Sequence, residues 1–435
     1  MSADSFVDNM RAYAPRMILD LAATAPKRLL SPRSENRNAA VLFADWVGFS
    51  GLVEEMTRGD AQRVVALAAG LDDTMGRLVD RLLDGGGDIL KFAGDAVFVM
   101  WPAEEDLSRA VAQAATCARE IQTAVTQEAG VGEVSLALRI VVAAGDLHVA
   151  TIGGVYRHWE VVIAGDPIAQ ISRLGGSAEP GTVLLSPEAA SALRAGGRME
   201  SSGGRAVLTP VPPPPLPSVV ALDQEGLEAL LSFLPTAVAT RPELGTDEDA
   251  ELRPVTTMFV LLRDLLYPRR ASVDEVQQAL QIVQECIYDH DGALNRFGVD
   301  DKGAVALAAW GLPPEPPATE VLLPVRAAIA LRRRLREVGL DARVGLTFGT
   351  VFCGSIGNAR RCEYTVHGRS VNLAARLMMH ADTILCDAAV AAGAGGAIPM
   401  ERMTPLRTKG RPDRVDVFQP ASGGAGVCSR GIELA

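Results

Sequence analysis

The sequence has little of what membrane anchoring or nucleic-acid binding requires. No uninterrupted apolar run approaches the roughly 18 to 20 residues that span a bilayer, and the N-terminus lacks the three regions of a signal peptide. The formal net charge of −11 argues against wholesale binding to nucleic acid or to anionic membranes, which needs clustered positive charge. We therefore expect a cytoplasmic protein with no membrane span and no nucleic-acid partner.

Cysteine and histidine are sparse and scattered. The six cysteines form no CxxC pair and stand at no metal-ligand spacing from a histidine, and the five histidines are equally dispersed. The sequence therefore predicts no zinc site, and we expect most of the cysteines to be small buried hydrophobic residues.

What is present is a long internal repeat. At 435 residues with 48% hydrophobic content, the chain exceeds the size at which one core usually keeps growing. The stretch "EYTVHGRSVNLAARL" (363–377) echoes "EVVIAGDPIAQISRL" (160–174), and "RVGLTFGTVFCGSIG" echoes "RIVVAAGDLHVATIG". The pattern indicates two related domains that can pack as an internal pseudo-dimer, so a monomer should suffice for function.

Each copy shows the order β-α-β-β-α-β, read from short apolar runs and helical spacing of apolar residues. The predicted fold class is α+β, with two ferredoxin-like domains. The predicted boundaries are an N-terminal docking segment (1–38), a first domain (39–200), a Pro/Gly-rich linker (201–250), a second domain (251–420) and a tail (421–435).

Two carboxylates and one helical pair carry candidate chemistry. Asp45 ends an apolar strand and Asp95 lies in a hairpin turn, so the two are either turn residues or convergent ligands of divalent cations. Between them, "WVGFSG" offers backbone N–H groups at a helix start, which suits phosphate. Asn372 and Arg376 share one helix face, although an exposed Arg with a capping Asn gives the same spacing.

The segments "LFADWVGFS", "GGDILKFAGDAVFVMW" and "EYTVHGRSVNLAAR" resemble the signatures of the class III adenylyl and guanylyl cyclases. The tandem layout, "ELRPVTTMFV" and "VFCGSIG" resemble the soluble, bicarbonate-responsive adenylyl cyclases in particular. The resemblance covers residues 38 to 420. It implies an adenylate cyclase, a phosphorus–oxygen lyase that converts ATP to cyclic AMP and pyrophosphate with two divalent cations, Mg²⁺ or Mn²⁺.

The resemblance also implies roles for individual residues. The cations would be bound by Asp45, Asp95 and the backbone carbonyl of Trp46. The triphosphate would be held by Gly48, Phe49, Ser50 and Arg139. Asn372 would orient the ribose, and Arg376 would stabilise the pentavalent phosphate. Arg296 and Thr365 would contact the base, with Arg296 in a position where adenylyl cyclases typically have Lys.

In this family each site takes its carboxylates from one domain and its Asn and Arg from the other. In the second domain Leu261 matches Asp45, with Asp300 at the position matching Asp95; in the first domain Ala169 matches Asn372. The resemblance therefore predicts one active site and one degenerate pocket. In that pocket Lys91 and Arg173 would bind bicarbonate as an activator, or would simply pair with acidic side chains.

Adenine is the expected base because the Thr365 hydroxyl can bond its exocyclic amine and no carboxylate faces a guanine edge. Two alternatives stay open. A non-catalytic nucleotide or anion sensor would keep the pseudo-dimer without turnover, and Arg296 leaves room for it. A guanylyl cyclase is the other alternative.

Overall fold

A computed structural model describes residues 3–48, 61–128, 137–202, 205–214, 221–240, 251–300, 302–316, 320–407 and 414–421. Within these ranges two α+β units follow each other along the chain. The predicted pair of ferredoxin-like domains is confirmed. No helix in the described ranges has the length and apolar character needed to cross a bilayer.

The first unit is preceded by three short helices and ends in a small hairpin. Its elements are α1 (Ala3–Arg11), α2 (Arg16–Thr24), α3 (Pro26–Leu29), β1 (Arg33–Val47), α4 (Ala61–Asp84), β2 (Asp88–Ala93), β3 (Ala96–Pro102), α5 (Leu107–Glu128), β4 (Ala137–Val155), β5 (His158–Gly165), α6 (Asp166–Leu174), β6 (Val183–Leu185), α7 (Pro187–Ala195), β7 (Met199–Ser202) and β8 (Arg205–Leu208). The sheet order is β2-β3-β1-β4-β5, and β6 pairs parallel with β4.

The connecting segment contains two helices, α8 (Gln224–Leu231) and α9 (Thr236–Ala239). The Asp223 side chain caps α8 by accepting a hydrogen bond from the Gly226 N–H at 2.8 Å. Ala229 and Leu230 of α8 are fully buried.

The second unit repeats the first. Its elements are β9 (Glu251–Leu262), α10 (Val273–Tyr288), β10 (Ala293–Asp300), β11 (Gly303–Trp310), α11 (Leu322–Glu337), β12 (Arg343–Asn358), β13 (Arg361–His367), α12 (Arg369–His380), β14 (Ile384–Asp387), α13 (Ala388–Ala394), β15 (Met400–Arg402) and β16 (Val417–Pro420). The sheet order is β10-β11-β9-β12-β14-β16-β15, and β13 pairs with β12.

Strand β1 changes character along its length. Its first six residues, 33–38, alternate between half-buried and exposed, whereas residues 39–42 are all buried. The buried part lies in the middle of the sheet, with helices on one face and the other unit on the opposite face, so both faces need apolar side chains. The strand thus begins at Arg33, inside the segment assigned from sequence to docking, because backbone pairing with β4 does not require apolar residues.

The longest strand of each unit packs against a helix of the other unit. The outer part of β4 packs on α10, where the Gly153 N–H and carbonyl both bond the Gln277 amide at 2.7 Å. Reciprocally, the outer part of β12 packs on α4, and the Asn358 side chain donates to the Gly76 carbonyl at 2.9 Å. Each strand therefore joins the hydrophobic core of the other unit, which fixes the two sheets relative to each other.

The N-terminal helices cross the boundary between the units. The Ala12 carbonyl accepts from the Cys362 N–H at 2.8 Å, and the Asp88 carboxylate accepts from the backbone of Arg16 and Met17 at 2.8 and 3.0 Å. A core cluster shared by these helices, both sheets and α8 lies behind them. The N-terminal segment thus contacts both units.

Candidate active site

A cavity of about 520 Å³ opens between the two units. The first unit contributes the ends of β1 and β4, the β2–β3 hairpin and one face of α6; the second contributes β10 and the start of β11. Its lining includes apolar side chains and the charged residues Asp45, Arg139, Lys91, Arg296 and Asp300. A volume of this size is ordinary for a nucleotide-sized ligand.

Asp45 and Arg139 face each other across neighbouring strands. They are direct partners in the antiparallel register of β1 and β4, and the Arg139 guanidinium forms an ion pair with the Asp45 carboxylate. Asp45 is 14% exposed and Arg139 34% exposed, so the pair is at the cavity wall rather than in bulk water. A guanidinium and a carboxylate are therefore adjacent at the end of the sheet.

Asp95 lies beside this pair, in the turn of the β2–β3 hairpin. Its backbone carbonyl accepts a hydrogen bond from the Trp46 N–H at 3.3 Å, which ties the turn to the end of β1. Burial, and next the negative charge of Asp45, raise the pKa of Asp95 to about 7. The carboxylates of Asp45 and Asp95 thus repel each other at a site that is largely shielded from water.

This donor set fits a divalent cation. Hard cations prefer carboxylate oxygens, and a positive ion is the group that relieves repulsion between two buried carboxylates. The Arg139 guanidinium already neutralises part of the Asp45 charge, so a bound cation would have to share the Asp45 carboxylate with Arg139. Within the described ranges no cluster of three or more His, Cys, Asp or Glu side chains is arranged around one point, so the pair would need further oxygen ligands from backbone, water or substrate.

The turn after β1 begins at Gly48. Gly48 has φ of 100°, a backbone conformation that favours glycine. Phe49 and Ser50, the other two residues assigned to the triphosphate, lie outside the described residues. Trp46 is buried and offers its carbonyl close to Asp45 along the chain.

The base-contacting candidates belong to the second unit and approach the Asp95 turn. Burial lowers the pKa of the Arg296 guanidinium, and the negative charges of Glu363 and Asp95 oppose that shift. Thr365 bonds His367 through Oγ1 and Nε2 at 3.3 Å, and the His367 ring lies against Gly94. Burial, and next the charge of Arg296, lower the pKa of His367 to about 3, so the ring is neutral at physiological pH.

Asn372 and Arg376 lie on α12, which begins immediately after the strand that carries Thr365 and His367. Asn372 is exposed and Arg376 is half-buried, whereas the intervening Leu373 and Ala374 are buried in the core. The two polar side chains therefore share the face of α12 turned away from its own sheet, as their spacing predicts. Neither lines the 520 Å³ cavity.

The register of the sheets identifies the equivalent positions in the second unit. Asp45 pairs with Ala96 on one side and Arg139 on the other, and Leu261 pairs in the same way with Val305 and Arg343. A separate cleft of about 60 Å³ is lined by Ala169, Asp300 and residues 266–269, whereas other residues of the equivalent helix, α6, line the 520 Å³ cavity. Arg269, which lines this cleft, lies 3.7 Å from Asp166.

The structure does not bring Lys91 and Arg173 into one cavity. Lys91 is 15% exposed, donates to the Phe297 carbonyl and lies 4.0 Å from Glu160. Arg173 is exposed on α6 and does not line the cavity to which Lys91 contributes. Lys91 therefore already has an acidic partner.

Sequence reasoning missed Glu160, Glu363 and His367. The two glutamates are the first residues of the two echoing stretches, and they are identical where most other polar residues are exchanged. Both reach across to the other unit: Glu363 accepts from the Phe92 N–H at 3.0 Å, and Glu160 accepts from the Phe297 backbone. Their identity in the two copies was the available signal.

Comparison with known sequences finds relatives along most of the chain. Adenylate cyclase type 10 of Mus musculus is 26% identical over 431 residues, and that of Homo sapiens is 26% identical over 423. These alignments cover 88% and 86% of this chain but only 26% of each relative. The chain therefore spans about a quarter of the length of the curated relatives it matches.

Comparison with solved structures supports the same fold. A class III adenylyl cyclase-like ATP-binding protein from Pseudomonas aeruginosa superposes with a TM-score of 0.58 at 14% identity, covering 87% of this chain and 94% of that one. The model of the adenylate and guanylate cyclase catalytic domain matches residues 32–208 and 309–386, more than half of the chain. The chain belongs to the adenylate and guanylate cyclase catalytic domain family.

Proposed function

We propose that this chain converts ATP to 3′,5′-cyclic AMP and pyrophosphate at a single site between its two units. The observation that carries the proposal is the meeting of Asp45, Asp95 and Arg139 of the first unit with Arg296 and the Thr365–His367 pair of the second. Each half supplies chemistry that the other lacks: carboxylates for cations on one side, and groups for base and ribose on the other.

The reaction is an in-line displacement at the α-phosphorus. The ribose 3′-oxygen forms a bond to phosphorus and releases its proton, while the bond to the oxygen bridging the α- and β-phosphates breaks and pyrophosphate leaves with the electron pair. Asp45 and Asp95 would hold two divalent cations, Mg²⁺ or Mn²⁺, which supply charge neutralisation and a lower pKa for the attacking hydroxyl. The triphosphate would be held by Arg139 and the Gly48 turn.

The second unit would orient the nucleoside and stabilise the transition state. Asn372 would bond the ribose, so that the 3′-oxygen lies in line with the breaking bond. Arg376 would approach the α-phosphoryl group, where a guanidinium gains most from the charge that develops there. Thr365 would accept a hydrogen bond from the adenine amine, and Arg296 would contact the ring edge.

The pseudo-equivalent pocket is proposed to be inactive. The Leu261 side chain has no oxygen to offer a cation, and the Ala169 side chain cannot bond a ribose. The chain would then have one catalytic site per molecule. Because both halves of that site are in one chain, a monomer would be the active species.

A non-catalytic nucleotide sensor is the second candidate, and one contact favours it. The ion pair of Arg139 with Asp45 uses a carboxylate that catalysis requires for a cation. Weak cation binding would leave a protein that binds nucleotide without turning it over. Selectivity for GTP is the third possibility, and Arg296 is the residue on which it would depend.

One assay separates these functions. Purified protein is incubated with ATP or GTP and Mn²⁺, and cyclic nucleotide is measured by chromatography together with the stoichiometry of bound nucleotide. We expect cyclic AMP from ATP, with GTP at least about tenfold less effective, because a single well-matched hydrogen bond to the base discriminates by that order. Nucleotide binding without any product would establish the sensor, and faster turnover of GTP would establish a guanylyl cyclase.

Stimulation by bicarbonate stays a prediction from the sequence and has its own test. If Lys91 and Arg173 bind the anion, activity should rise with added bicarbonate in the wild type and should no longer respond in a Lys91→Ala, Arg173→Ala double variant. Chloride at equal ionic strength and fixed pH is the control. A response that persists unchanged in the double variant would remove these residues from the regulatory pocket.

A further inference from the structure

Strands β2 and β10 are the equivalent edge strands of the two sheets, and each carries a cation at the same place. Their pairing register shifts just before Lys91 in the first unit and just before Arg296 in the second. Each cation is followed by a buried phenylalanine, Phe92 or Phe297. An edge strand has backbone N–H and C=O groups on its outer side that its own sheet does not use.

The first unit bonds both backbone groups of Phe297. The Lys91 ammonium donates to the Phe297 carbonyl, and the Glu160 carboxylate accepts from the Phe297 backbone. Lys91 and Glu160 are themselves 4.0 Å apart and are 15% and 20% exposed. The residue next to Arg296 is therefore held across the interface by one donor and one acceptor of the opposite unit.

The charges around Arg296 and Glu160 also favour this contact between the units. Arg296 is attracted by Glu363, Asp95 and Glu160, in that order, while burial lowers its pKa. Burial raises the pKa of Glu160 to about 7 even though Lys91 opposes the shift. A buried carboxylate is costly unless it bonds something, and the bonds that Glu160 makes are to β10 and Lys91.

We propose that Glu160, together with Lys91, is a positioning residue for Arg296: it holds β10 so that the guanidinium faces the nucleotide base. The proposal rests on the proposed function in one respect, namely that Arg296 contacts the base. It gives Lys91 a task other than anion binding, because its ammonium is committed to the Phe297 carbonyl.

The test compares Glu160→Ala with Glu160→Gln. Glutamine keeps an oxygen that can accept from the Phe297 N–H, whereas alanine leaves that group and Lys91 without the carboxylate. We expect Glu160→Ala to weaken ATP binding about tenfold and to reduce the preference for ATP over GTP, with kcat within about threefold of wild type. Glu160→Gln should restore ATP binding to within about threefold of wild type.

The matched control is Asp88→Ala. Asp88 is another carboxylate at the same interface, but its partners are the backbone amides of Arg16 and Met17, so its loss should lower Tm without changing the ATP-to-GTP binding ratio. Binding is measured by displacement of a fluorescent ATP analogue, which needs no turnover. A Glu160→Ala, Lys91→Ala double variant covers the case in which the single alanine variant does not fold.

The outcomes are distinct. Glu160-dependent ATP binding without any cyclic nucleotide would retain the positioning role and reject the cyclase. Turnover with ATP binding unchanged in Glu160→Ala, or equal changes in Asp88→Ala and Glu160→Ala, would reject the positioning role and leave the cyclase intact. Failure of the wild type to bind either nucleotide would reject both.

Discussion

Replacing Asp95 by asparagine should lower cyclic AMP formation by at least about 100-fold and, at the same time, make the protein more stable at pH 8. The loss of activity follows because an amide oxygen is a far poorer ligand for a hard cation than a carboxylate, and removing one such stabilising group commonly costs 10²–10³ in kcat. The gain in stability follows from the pKa of about 7 that burial and Asp45 impose on the wild-type side chain.

The sign follows from the two protonation states. In the unfolded chain an aspartate loses its proton near pH 4, whereas folded Asp95 keeps it until about pH 7. The folded state therefore becomes progressively less favourable as pH rises from about 4 to 7, and asparagine escapes this loss. The Tm of Asp95→Asn should exceed that of wild type by about 3 °C at pH 8, and the difference should disappear near pH 4.

Asp300→Asn is the matched control for this experiment. Asp300 occupies the equivalent hairpin of the second unit, where its carboxylate accepts from the Lys302 N–H at 2.8 Å and no aspartate stands in the place of Asp45. It should retain far more activity than Asp95→Asn. Added Mn²⁺ should raise the Tm of wild type and of Asp300→Asn but not that of Asp95→Asn. Equal effects of the two substitutions would contradict the assignment of the cation site.

Equivalent positions in the two units could be predicted from the sequence because both copies of the repeat keep the same strand register. The echo that aligned Leu261 with Asp45 agrees with the pairing of both residues to the neighbouring strands. The hairpin around Gly94 and Asp95 was equally predictable, since a glycine and an aspartate between two apolar runs favour a turn. The local sequence pattern was sufficient to predict those positions whose conformation is determined by their neighbours along the chain.

Contacts between the two units could not be predicted in this way. Nothing in the local sequence indicates that Glu160 reaches Phe297 or that His367 lies against Gly94, because these contacts depend on how two sheets pack over more than a hundred residues of separation. The partners of Lys91 are a further contact of this kind. Lys91 lies 4.0 Å from Glu160, whereas Arg173 is exposed on α6, and the local sequence of neither residue indicates these surroundings.

Replacing Arg376 by alanine should lower kcat about 100-fold while changing KM less than threefold. The half-buried guanidinium lies on the outer face of α12, one turn after Asn372, where it would meet charge that develops only as the α-phosphorus becomes pentavalent. An interaction that exists mainly in the transition state affects kcat and kcat/KM together and leaves ground-state binding almost unchanged. Initial rates over a range of ATP concentrations at saturating Mn²⁺ separate the two constants.

Arg173→Ala provides the matched control, since Arg173 occupies the same helical position in the first unit. It lies one helical turn after Ala169, where the second unit has Asn372. Without bicarbonate its substitution should leave kcat within about threefold of wild type, so the ratio of the two effects measures the asymmetry of the pseudo-dimer. Comparable losses in both variants would mean that both helices contribute to turnover, and the proposal of one active site per chain would then be wrong.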